Sequence, residues 1–261
     1  MVHVAITGAA GNVGREAVAA LEDRETTLFT HREHDDIDGE ILEIADREAF
    51  HEALDGIDVL VHLAANPSPT AEWDELAGPN VDGVYNAYEA AVGNGLDRVV
   101  FASSNHAVHM HNVGDPADPE TLAPAADVRP ITPDDPPRPD SHYGVTKVLG
   151  EAMGDFYAGR HGLEVVNLRI GWLMTDAELR ETVTDPEVDE RFARAMWLSP
   201  SDCRRAIRAA ATEPLPESPL TLNAVSRNDE RYLTLTRTQQ AVGYRPRDNS
   251  TEALNDAADD I

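Results

Sequence analysis

The first residues of the chain carry the feature that most limits its fold. A short β-branched run, residues 2–7, leads directly into Gly8, Gly11 and Gly14, and a helical pattern follows. Strand, glycine turn and helix in this order are typical of a dinucleotide-binding unit, because the glycines let the backbone approach a pyrophosphate at the helix N-terminus. The spacing is Gly-x-x-Gly-x-x-Gly, so glycines that serve only a tight turn are the alternative.

Alternation of strand and helix continues along most of the chain. Strands are predicted over residues 27–30, 41–44, 59–63, 98–103 and 165–170, and helices over 47–54 and 81–94. The later strands are continuous apolar runs, which indicates burial on both faces. The sequence therefore predicts an α/β fold, a doubly wound parallel sheet of the Rossmann type. We predict a dinucleotide-binding domain over 1–171, with a Pro- and Asp-rich loop 111–141 near the active site, and a small interwoven substrate-binding cap over 172–261.

Acidic residues outnumber basic ones by 48 to 21, a net charge of −27. This balance excludes nucleic acid and an anionic membrane as partners, because phosphate binding needs basic patches. The acids are spread along the chain, which indicates a solvated surface of the halophilic kind. The sequence shows no signal-peptide pattern and no run of about 18 apolar residues, so a cytoplasmic location is expected. Cys203 is the single cysteine, and no metal site is predicted.

Only one of the basic residues is a lysine: Lys147, four positions after Tyr143. On a helix the two side chains share one face. A phenol with a pKa near 10 is a weak base at neutral pH unless a nearby cation favours its phenolate, and a compact ammonium suits that task better than a planar guanidinium. The pair predicts proton abstraction from a hydroxyl, with Tyr143 as the base. A surface lysine beside a core tyrosine is the alternative.

Three polar residues, Ser104, Asn105 and His106, follow a buried strand at its carboxyl end. Open α/β sheets bind their ligands at this edge. We expect Ser104 to orient the reacting hydroxyl, and Asn105 and His106 to bind neighbouring hydroxyls of a polyol. A nucleophilic Ser104 is disfavoured, since the chain lacks a Gly-x-Ser-x-Gly elbow there.

The end of the second predicted strand bears on the choice of cofactor. An acid at this point would bind a ribose 2′-hydroxyl, but the strand ends in Phe-Thr-His-Arg, and Arg32 can pair with a 2′-phosphate. The sequence therefore favours NADP over NAD. Glu33, Asp35 or Asp36 would reverse this preference if the strand ended later. Asp46, after the third strand, is expected to accept a hydrogen bond from the adenine.

Several features in order along the chain resemble the extended short-chain dehydrogenase/reductase superfamily: the glycine turn, Asp46, the run His-Leu-Ala-Ala at 62–65, Asn80, the Ser103-Ser104 pair and Tyr143-x-x-x-Lys147. Segments 101–106, 143–147, 168–171, 197–199 and 243–249 resemble its sugar C1-dehydrogenase branch, which includes uronate, aldose and glucose-6-phosphate dehydrogenases. The resemblance implies the catalytic residues Tyr143, Lys147, Ser104 and Asn80. It implies the cofactor-binding residues Gly8, Ala10, Gly11, Asn12, Val13, Gly14, Arg32, Asp46, Leu63, Ala64, Ala65, Tyr143 and Lys147. It implies the substrate-binding residues Ser104, Asn105, His106, Tyr143, Trp172 and Arg191.

The reaction that this resemblance implies is transfer of a hydride from C1 of a cyclic aldose to NADP or NAD, which leaves a lactone. Pro67 and Trp172 stand where the uronate pattern has serines, and the lost polar contacts favour a neutral pentose such as L-arabinose. Arg191 and Arg194 keep glucose 6-phosphate or a hexuronate open as substrates.

Two other classes of function remain open at this point. A nucleotide-sugar epimerase or dehydratase would share the tyrosine and lysine, although the C-terminal part is short for holding a nucleotide diphosphate. A cofactor-sensing module without catalysis is the other. The resemblance also suggests a homodimer or homotetramer built on the helices that contain Asn80 and Tyr143.

Overall fold

A seven-stranded, wholly parallel sheet forms the centre of the protein, which is described here from a computed structural model covering residues 2–118 and 122–255. The strands of this sheet are β1 (His3–Thr7), β2 (Glu25–Thr30), β3 (Glu40–Ile41), β4 (Val59–His62), β5 (Arg98–Ser104), β6 (Glu164–Ile170) and β9 (Leu220–Ala224). They lie in the order β3-β2-β1-β4-β5-β6-β9. Two further short strands, β7 (Trp172–Leu173) and β8 (Trp197–Leu198), pair with each other. The predicted doubly wound parallel sheet is confirmed.

Ten α-helices surround the sheet within the described ranges. They are α1 (Asn12–Ala20), α2 (Arg47–Ala53), α3 (Trp73–Leu76), α4 (Gly83–Asn94), α5 (His142–His161), α6 (Asp176–Thr182), α7 (Glu190–Met196), α8 (Pro200–Thr212), α9 (Thr236–Val242) and α10 (Ser250–Asn255). A π-helical turn, Ala77–Asp82, leads into α4, and two 3-10 turns, Asn105–Ala107 and His109–His111, follow β5. In the described ranges no helix is both long and apolar enough to cross a bilayer.

The two faces of the sheet are both buried because successive strand residues point to opposite sides. Along β1, Val4 and Ile6 join the apolar cluster on the side of α1 and α8, whereas Ala5 joins the cluster on the side of α2, α4 and α5. Strands β4 and β5 divide in the same way. The continuous apolar runs of these strands therefore correctly predicted that both faces of the sheet are buried.

Helix α5 approaches the sheet unusually closely, and this sets the position of the site residues it carries. A Cβ added at Gly150 would lie 2.2 Å from Cζ of Phe101 on β5. The absence of a side chain at Gly150 thus lets α5 rest on the ring of Phe101. Lys147, one turn earlier, is held against the end of the same strand.

The C-terminal part of the chain joins the main sheet, which the sequence patterns did not indicate. Strand β9 pairs with β6 from Val166↔Leu220 to Ile170↔Ala224. The region after Gly171 is thus interwoven with the rest of the molecule, and the domain boundary at 171 stays a prediction. Residues 119–121 of the predicted loop and 256–261 of the predicted cap lie outside the described residues.

Candidate active site

A cavity of about 1020 Å³ opens along the carboxyl edge of the sheet. Its wall is formed by residues that follow β1, β2, β3, β4, β5 and β6, together with the start of α5. The strand order reverses between β1 and β4, and this switch point is where open α/β sheets bind their ligands. The sequence-predicted residues in the wall are Gly8, Ala10, Gly11, Asn12, Val13, Gly14, Arg32, Leu63, Ala64, Ala65, Ser104, Asn105, His106, Tyr143, Lys147 and Trp172. Asp46, Asn80 and Arg191 lie outside it.

The glycine turn forms a close-packed cradle at one end of the cavity. Gly8 has φ +70°, and a Cβ on it would lie 2.9 Å from the backbone of Ala64. A Cβ on Gly14 would lie 2.0 Å from the carbonyl oxygen of Gly8. Helix α1 begins at Asn12 without a side-chain cap and without an acid in its first turn, so its free amides face the cavity. These features fit the pyrophosphate of a dinucleotide.

The second strand ends at Thr30, as predicted, and the residues after it contribute cationic and neutral groups to the cavity wall. Arg32 lines the cavity, and no side-chain partner is recorded for it within the described ranges. The three acids that could have bound the ribose of NAD, Glu33, Asp35 and Asp36, do not line the cavity. Asp36 instead pairs with Arg15 at 2.5 Å. Nothing among these acids competes with Arg32 for the ribose position.

Asp46 differs from its expected position. Its carboxylate caps α2, where Oδ1 accepts hydrogen bonds from the backbone amides of Glu48 and Ala49 at 3.0 and 3.1 Å. Glu43 and Ile44 line the cavity at the end of β3 in its place. Glu43 and Asp46, three residues apart, both follow the third strand, and Asp46 also directly precedes α2 as its N-cap. The sequence did not show which of the two acids faces the cavity.

Tyr143 and Lys147 meet Ser104 at the centre of the cavity. The Ser104 side chain lies beside the phenol and lowers its pKa, and Lys147 Nζ lies 5.2 Å from the centroid of the Tyr143 ring. Nζ donates to the carbonyl oxygen of Ala102 at 2.8 Å and lies 5.2 Å from the ring of Phe101. The i, i+4 pair therefore shares one helix face, as expected, and faces Ser104, the last residue of β5.

Burial dominates the electrostatics of this pair. It raises the pKa of Tyr143 to about 12, against a smaller lowering by the Ser104 hydrogen bond, and it lowers the pKa of Lys147 to about 8. The sequence argument expected Lys147 to lower the pKa of the phenol. The structure differs here, because loss of water around the buried phenol outweighs other effects and Asp140 adds a further upward contribution.

Asn80 supports the site from behind. It lies in the π-helical turn, 1% exposed, and exchanges two hydrogen bonds with the backbone of Asn66 at 2.7 and 2.9 Å. Its amide also donates to the hydroxyl of Thr146, which in turn donates to the carbonyl oxygen of Tyr143. Asn80 therefore connects the segment after β4 to the first turn of α5.

A buried ion pair fixes the strand end beside the reacting groups. Arg169 on β6 holds Glu151 of α5 through two hydrogen bonds of 2.7 Å, and Ser103 donates to the same carboxylate at 2.5 Å. Neither Glu151 nor Arg169 was singled out from the sequence. The available sequence signal was that Glu151 lies four residues after Lys147, on the same face of α5. This spacing by itself does not show that Glu151 is buried or that Arg169 is its partner.

The far end of the cavity combines one polar wall with one apolar wall. Asn105 and His106 provide the polar side, and Nδ1 of His106 lies 2.8 Å from the carboxylate of Asp140. Four side chains form the apolar side: Leu122, Trp172, Leu173 and Phe192. The ring of Trp172 lies 6.0 Å from that of Phe192. Asp140, Leu122 and Phe192 carried no sequence signal, since a single acid or apolar residue in a loop gives no periodicity to interpret.

Arg191 and Arg194 lie away from the wall. The guanidinium of Arg191 donates to the carbonyl oxygens of Ala125 and Ala126, at 2.7 and 3.4 Å, and so ties the long loop to α7. Arg194 pairs with Glu190 and with Glu230 at 3.0 and 2.8 Å. Within the described wall, Arg32 and Lys147 are the only arginine and lysine, and both lie on the side of the predicted cofactor contacts.

Comparison with known proteins places this chain among sugar-active relatives. Residues 4–184 match the model of the NAD dependent epimerase/dehydratase family. L-arabinose 1-dehydrogenase (NAD(P)(+)) of Haloferax volcanii is 55% identical over 97% of this chain and 100% of its own length. NAD-dependent glucose-6-phosphate dehydrogenase of the same organism is 32% identical over 95% of this chain and 94% of its own.

The crystal structures most similar in fold include uronate dehydrogenase from Agrobacterium tumefaciens, with a TM-score of 0.78, 26% identity, and coverage of 100% of this chain and 90% of that one. A mutant of that enzyme was solved in complex with NAD, again with a TM-score of 0.78. The family match spans more than half of the chain and agrees with the sheet order, the glycine cradle and the tyrosine–lysine pair. The protein belongs to the NAD dependent epimerase/dehydratase family, the extended short-chain dehydrogenases/reductases.

Proposed function

We propose that this protein is an NAD(P)-dependent sugar 1-dehydrogenase that oxidises a cyclic, neutral aldose, with a pentose such as L-arabinose as the first candidate, to its lactone. The single observation that carries the proposal is the cavity itself. It joins a glycine cradle at one end, the Ser104, Tyr143 and Lys147 group at its centre, and a pocket without a free cation at the other end. The relative named for L-arabinose oxidation supports the same substrate class.

The residues of this chain divide the chemistry among them. A bound NAD(P)⁺ would supply the hydride acceptor for C1 of the sugar. Tyr143 would take the proton that leaves the C1 hydroxyl, and Ser104, in the same cavity wall, would hold that hydroxyl in place by a hydrogen bond to it. Lys147, held by the Ala102 carbonyl, keeps a positive charge near the ring of Tyr143 at neutral pH. A sugar seated against the apolar wall of Leu122, Trp172, Leu173 and Phe192 would displace water from the reacting groups.

A neutral substrate follows from where the arginines are. A phosphate or carboxylate on the sugar needs a cation that faces the pocket, and arginine is the side chain best suited to it. Arg191 is occupied by two backbone carbonyls and Arg194 by two glutamates. Pro67, in the wall, adds no hydrogen-bond donor. Glucose 6-phosphate and hexuronates are therefore poorer candidates than a free aldose.

We further propose that NADP is the preferred cofactor and that NAD is also used. Arg32 provides a guanidinium in the wall beside the expected ribose position, with no side-chain partner among residues 2–118 and 122–255, whereas Asp36 is neutralised by Arg15. A 2′-phosphate would therefore meet a cation there. The Haloferax volcanii relative is named for NAD(P)(+), which supports use of NAD as well.

A substrate panel tests the proposal directly. The purified protein, in buffers of high and low salt, is given L-arabinose, D-xylose, D-glucose, glucose 6-phosphate and D-galacturonate with each cofactor, and formation of reduced nicotinamide is followed by absorbance. We expect the highest kcat/KM for a neutral aldose with NADP⁺. Activity confined to glucose 6-phosphate or to the uronate would overturn the neutral-sugar assignment, and no activity with any sugar would overturn the function.

The assembly and location of the protein are also proposals. Four large apolar side chains on α3, α4 and α5 are exposed: Trp73, Tyr85, Val145 and Phe156. We propose a homodimer or homotetramer that covers this face, because isolated monomers rarely expose such a row. Light scattering of the wild type and of Phe156→Glu tests this, and a monomeric wild type would refute it. A cytoplasmic location rests on the sequence argument alone, and cell fractionation tests it.

A further inference from the structure

A deeply buried carboxylate, Asp140, lies behind the polar wall of the cavity, and the chemistry above does not use it. Its side chain is 1% exposed. Oδ2 lies 2.8 Å from Nδ1 of His106, and Oδ1 accepts a hydrogen bond from the hydroxyl of Ser141 at 2.9 Å. In the described ranges no arginine or lysine forms an ion pair with Asp140, so His106 is its only recorded ion-pair partner.

The backbone holds the same two residues together. The amide of Asp140 donates to the carbonyl oxygen of His106 at 3.4 Å. The first turn of α5 closes over both, since a Cβ on Gly144 would lie 2.5 Å from the carbonyl oxygen of His106 and 3.2 Å from Oδ1 of Asp140. The carboxylate is thus fixed on the ring by packing on two sides. Asp140 and His106 are thus joined by a side-chain contact and by a backbone hydrogen bond, whereas an exposed ion pair has only the side-chain contact.

The contact determines which ring nitrogen of His106 carries a proton. An ionised carboxylate only accepts hydrogen bonds, so the hydrogen between the two groups belongs to Nδ1. A neutral imidazole protonated on Nδ1 has its lone pair on Nε2. His106 lines the cavity, and in the described ranges Nε2 has no recorded protein partner and is not among the fully enclosed unpartnered atoms. The rings of Tyr143, His109 and Phe192 occupy its other sides.

We infer that Asp140 is a positioning residue for substrate binding: it holds the Nδ1–H form of His106, so that Nε2 faces the cavity as a hydrogen-bond acceptor for a sugar hydroxyl. The inference rests on the proposed sugar oxidation and names a residue that nothing in the sequence pointed to. A substrate would need a hydroxyl that can donate at this point. Asp140 itself touches neither sugar nor cofactor.

Steady-state kinetics provide the first test. Without Asp140, the ring can turn and place its proton on Nε2, but a hydroxyl can also accept a hydrogen bond, so binding should weaken and not disappear. We expect Asp140→Ala to raise the KM for the sugar by about tenfold, the effect of losing one well-placed hydrogen bond to a polar partner. The KM for NADP⁺ should change by no more than about twofold, and kcat should change less than the KM for the sugar, with any change in kcat traced to the contribution of Asp140 to the raised pKa of Tyr143.

Two further variants make the test specific. Asp140→Asn keeps a carbonyl oxygen that can accept from Nδ1–H, so its sugar KM should lie between those of the wild type and Asp140→Ala. Asp134→Ala is the matched control, since it removes an acid from the same segment whose side chain is 70% exposed. It should behave as the wild type. A sugar KM for Asp140→Ala equal to that of Asp134→Ala would overturn the inference.

The ring tautomer can be measured without any turnover. Nitrogen-15 spectra of the wild type labelled on its ten histidines distinguish protonated from unprotonated ring nitrogens, and His106→Asn identifies the signals of His106. In neutral His106 we expect the proton on Nδ1. A proton on Nε2 in the wild type would overturn the inference even if Asp140→Ala does not fold. If no sugar is oxidised, the proposed function fails, while this measurement still decides the tautomer.

Discussion

Replacement of Lys147 by methionine should remove activity and, at neutral pH, stabilise the fold. Lys147 is 5% exposed, and burial lowers its pKa from 10.5 to about 8. At 1.36 kcal/mol for each pH unit, keeping this ammonium charged in the folded protein costs about 3 kcal/mol at pH 7. Methionine has a similar length and carries no charge, so Lys147→Met removes this cost.

One loss opposes the gain. The carbonyl oxygen of Ala102 loses its donor, which lies 2.8 Å away, and such a loss is worth roughly 1–2 kcal/mol. The free energy of unfolding of Lys147→Met should therefore exceed that of the wild type by about 1–2 kcal/mol at pH 7. Turnover should fall by on the order of 10²-fold or more, because the variant lacks the cation beside Tyr143.

The pH dependence follows from the direction of the pKa shift. Between about pH 8 and 10.5 the unfolded chain keeps the lysine proton while the folded chain releases it, so unfolding takes up a proton and the wild type gains stability as the pH rises. Lys147→Met has no such titration. The difference between variant and wild type should shrink above pH 8 and reverse at about pH 9 to 9.5. Above about pH 10.5 only the lost hydrogen bond remains, and the wild type should be the more stable protein.

Urea unfolding at pH 7, 8, 9 and 10, at one fixed salt concentration, measures this difference. Lys147→Arg is the matched control, since its guanidinium stays charged over the whole range and is larger than the ammonium. It should be less stable than the wild type at every pH, with the same slope against pH as the methionine variant. A Lys147→Met variant that is destabilised at pH 7, or whose difference from the wild type is independent of pH, would refute the reasoning.

Three further substitutions test the rest of the site. Tyr143→Phe should lower kcat by roughly 10²- to 10⁴-fold while fluorescence titration shows that NADPH still binds; unchanged turnover would remove Tyr143 as the base. Gly14→Ala would bring a Cβ to 2.0 Å from the carbonyl oxygen of Gly8, so NADPH binding should be lost and the free energy of unfolding should fall by about 1–3 kcal/mol. Gly159→Ala is the control, because a Cβ there meets open space, and its stability should be unchanged or slightly higher. Arg32→Ala should raise the KM for NADP⁺ by on the order of tenfold and leave that for NAD⁺ nearly unchanged; equal effects on both would refute the 2′-phosphate contact.

The sequence by itself determined the class of fold and the centre of the site. Continuous apolar strands, the glycine turn and the spacing of Tyr143 and Lys147 are local patterns, set by how near neighbours share a strand, a turn or a helix face. The tertiary structure bears these out in the parallel sheet and in the meeting of both residues with Ser104. Lys147, the single lysine of the chain, was informative because it stands one helical turn after Tyr143.

Only the tertiary structure decided which charged groups are available. Arg191 is bound to carbonyl groups 65 and 66 residues away in sequence, and Asp140 lies on His106, 34 residues away. Strand β9 joins the sheet beside β6 from the far end of the chain. Burial and the choice of partner depend on contacts between distant segments, and no short pattern records them. Asp140 gives no sequence pattern because its partner, His106, is distant in sequence, and burial against that partner is what fixes the carboxylate on the imidazole ring.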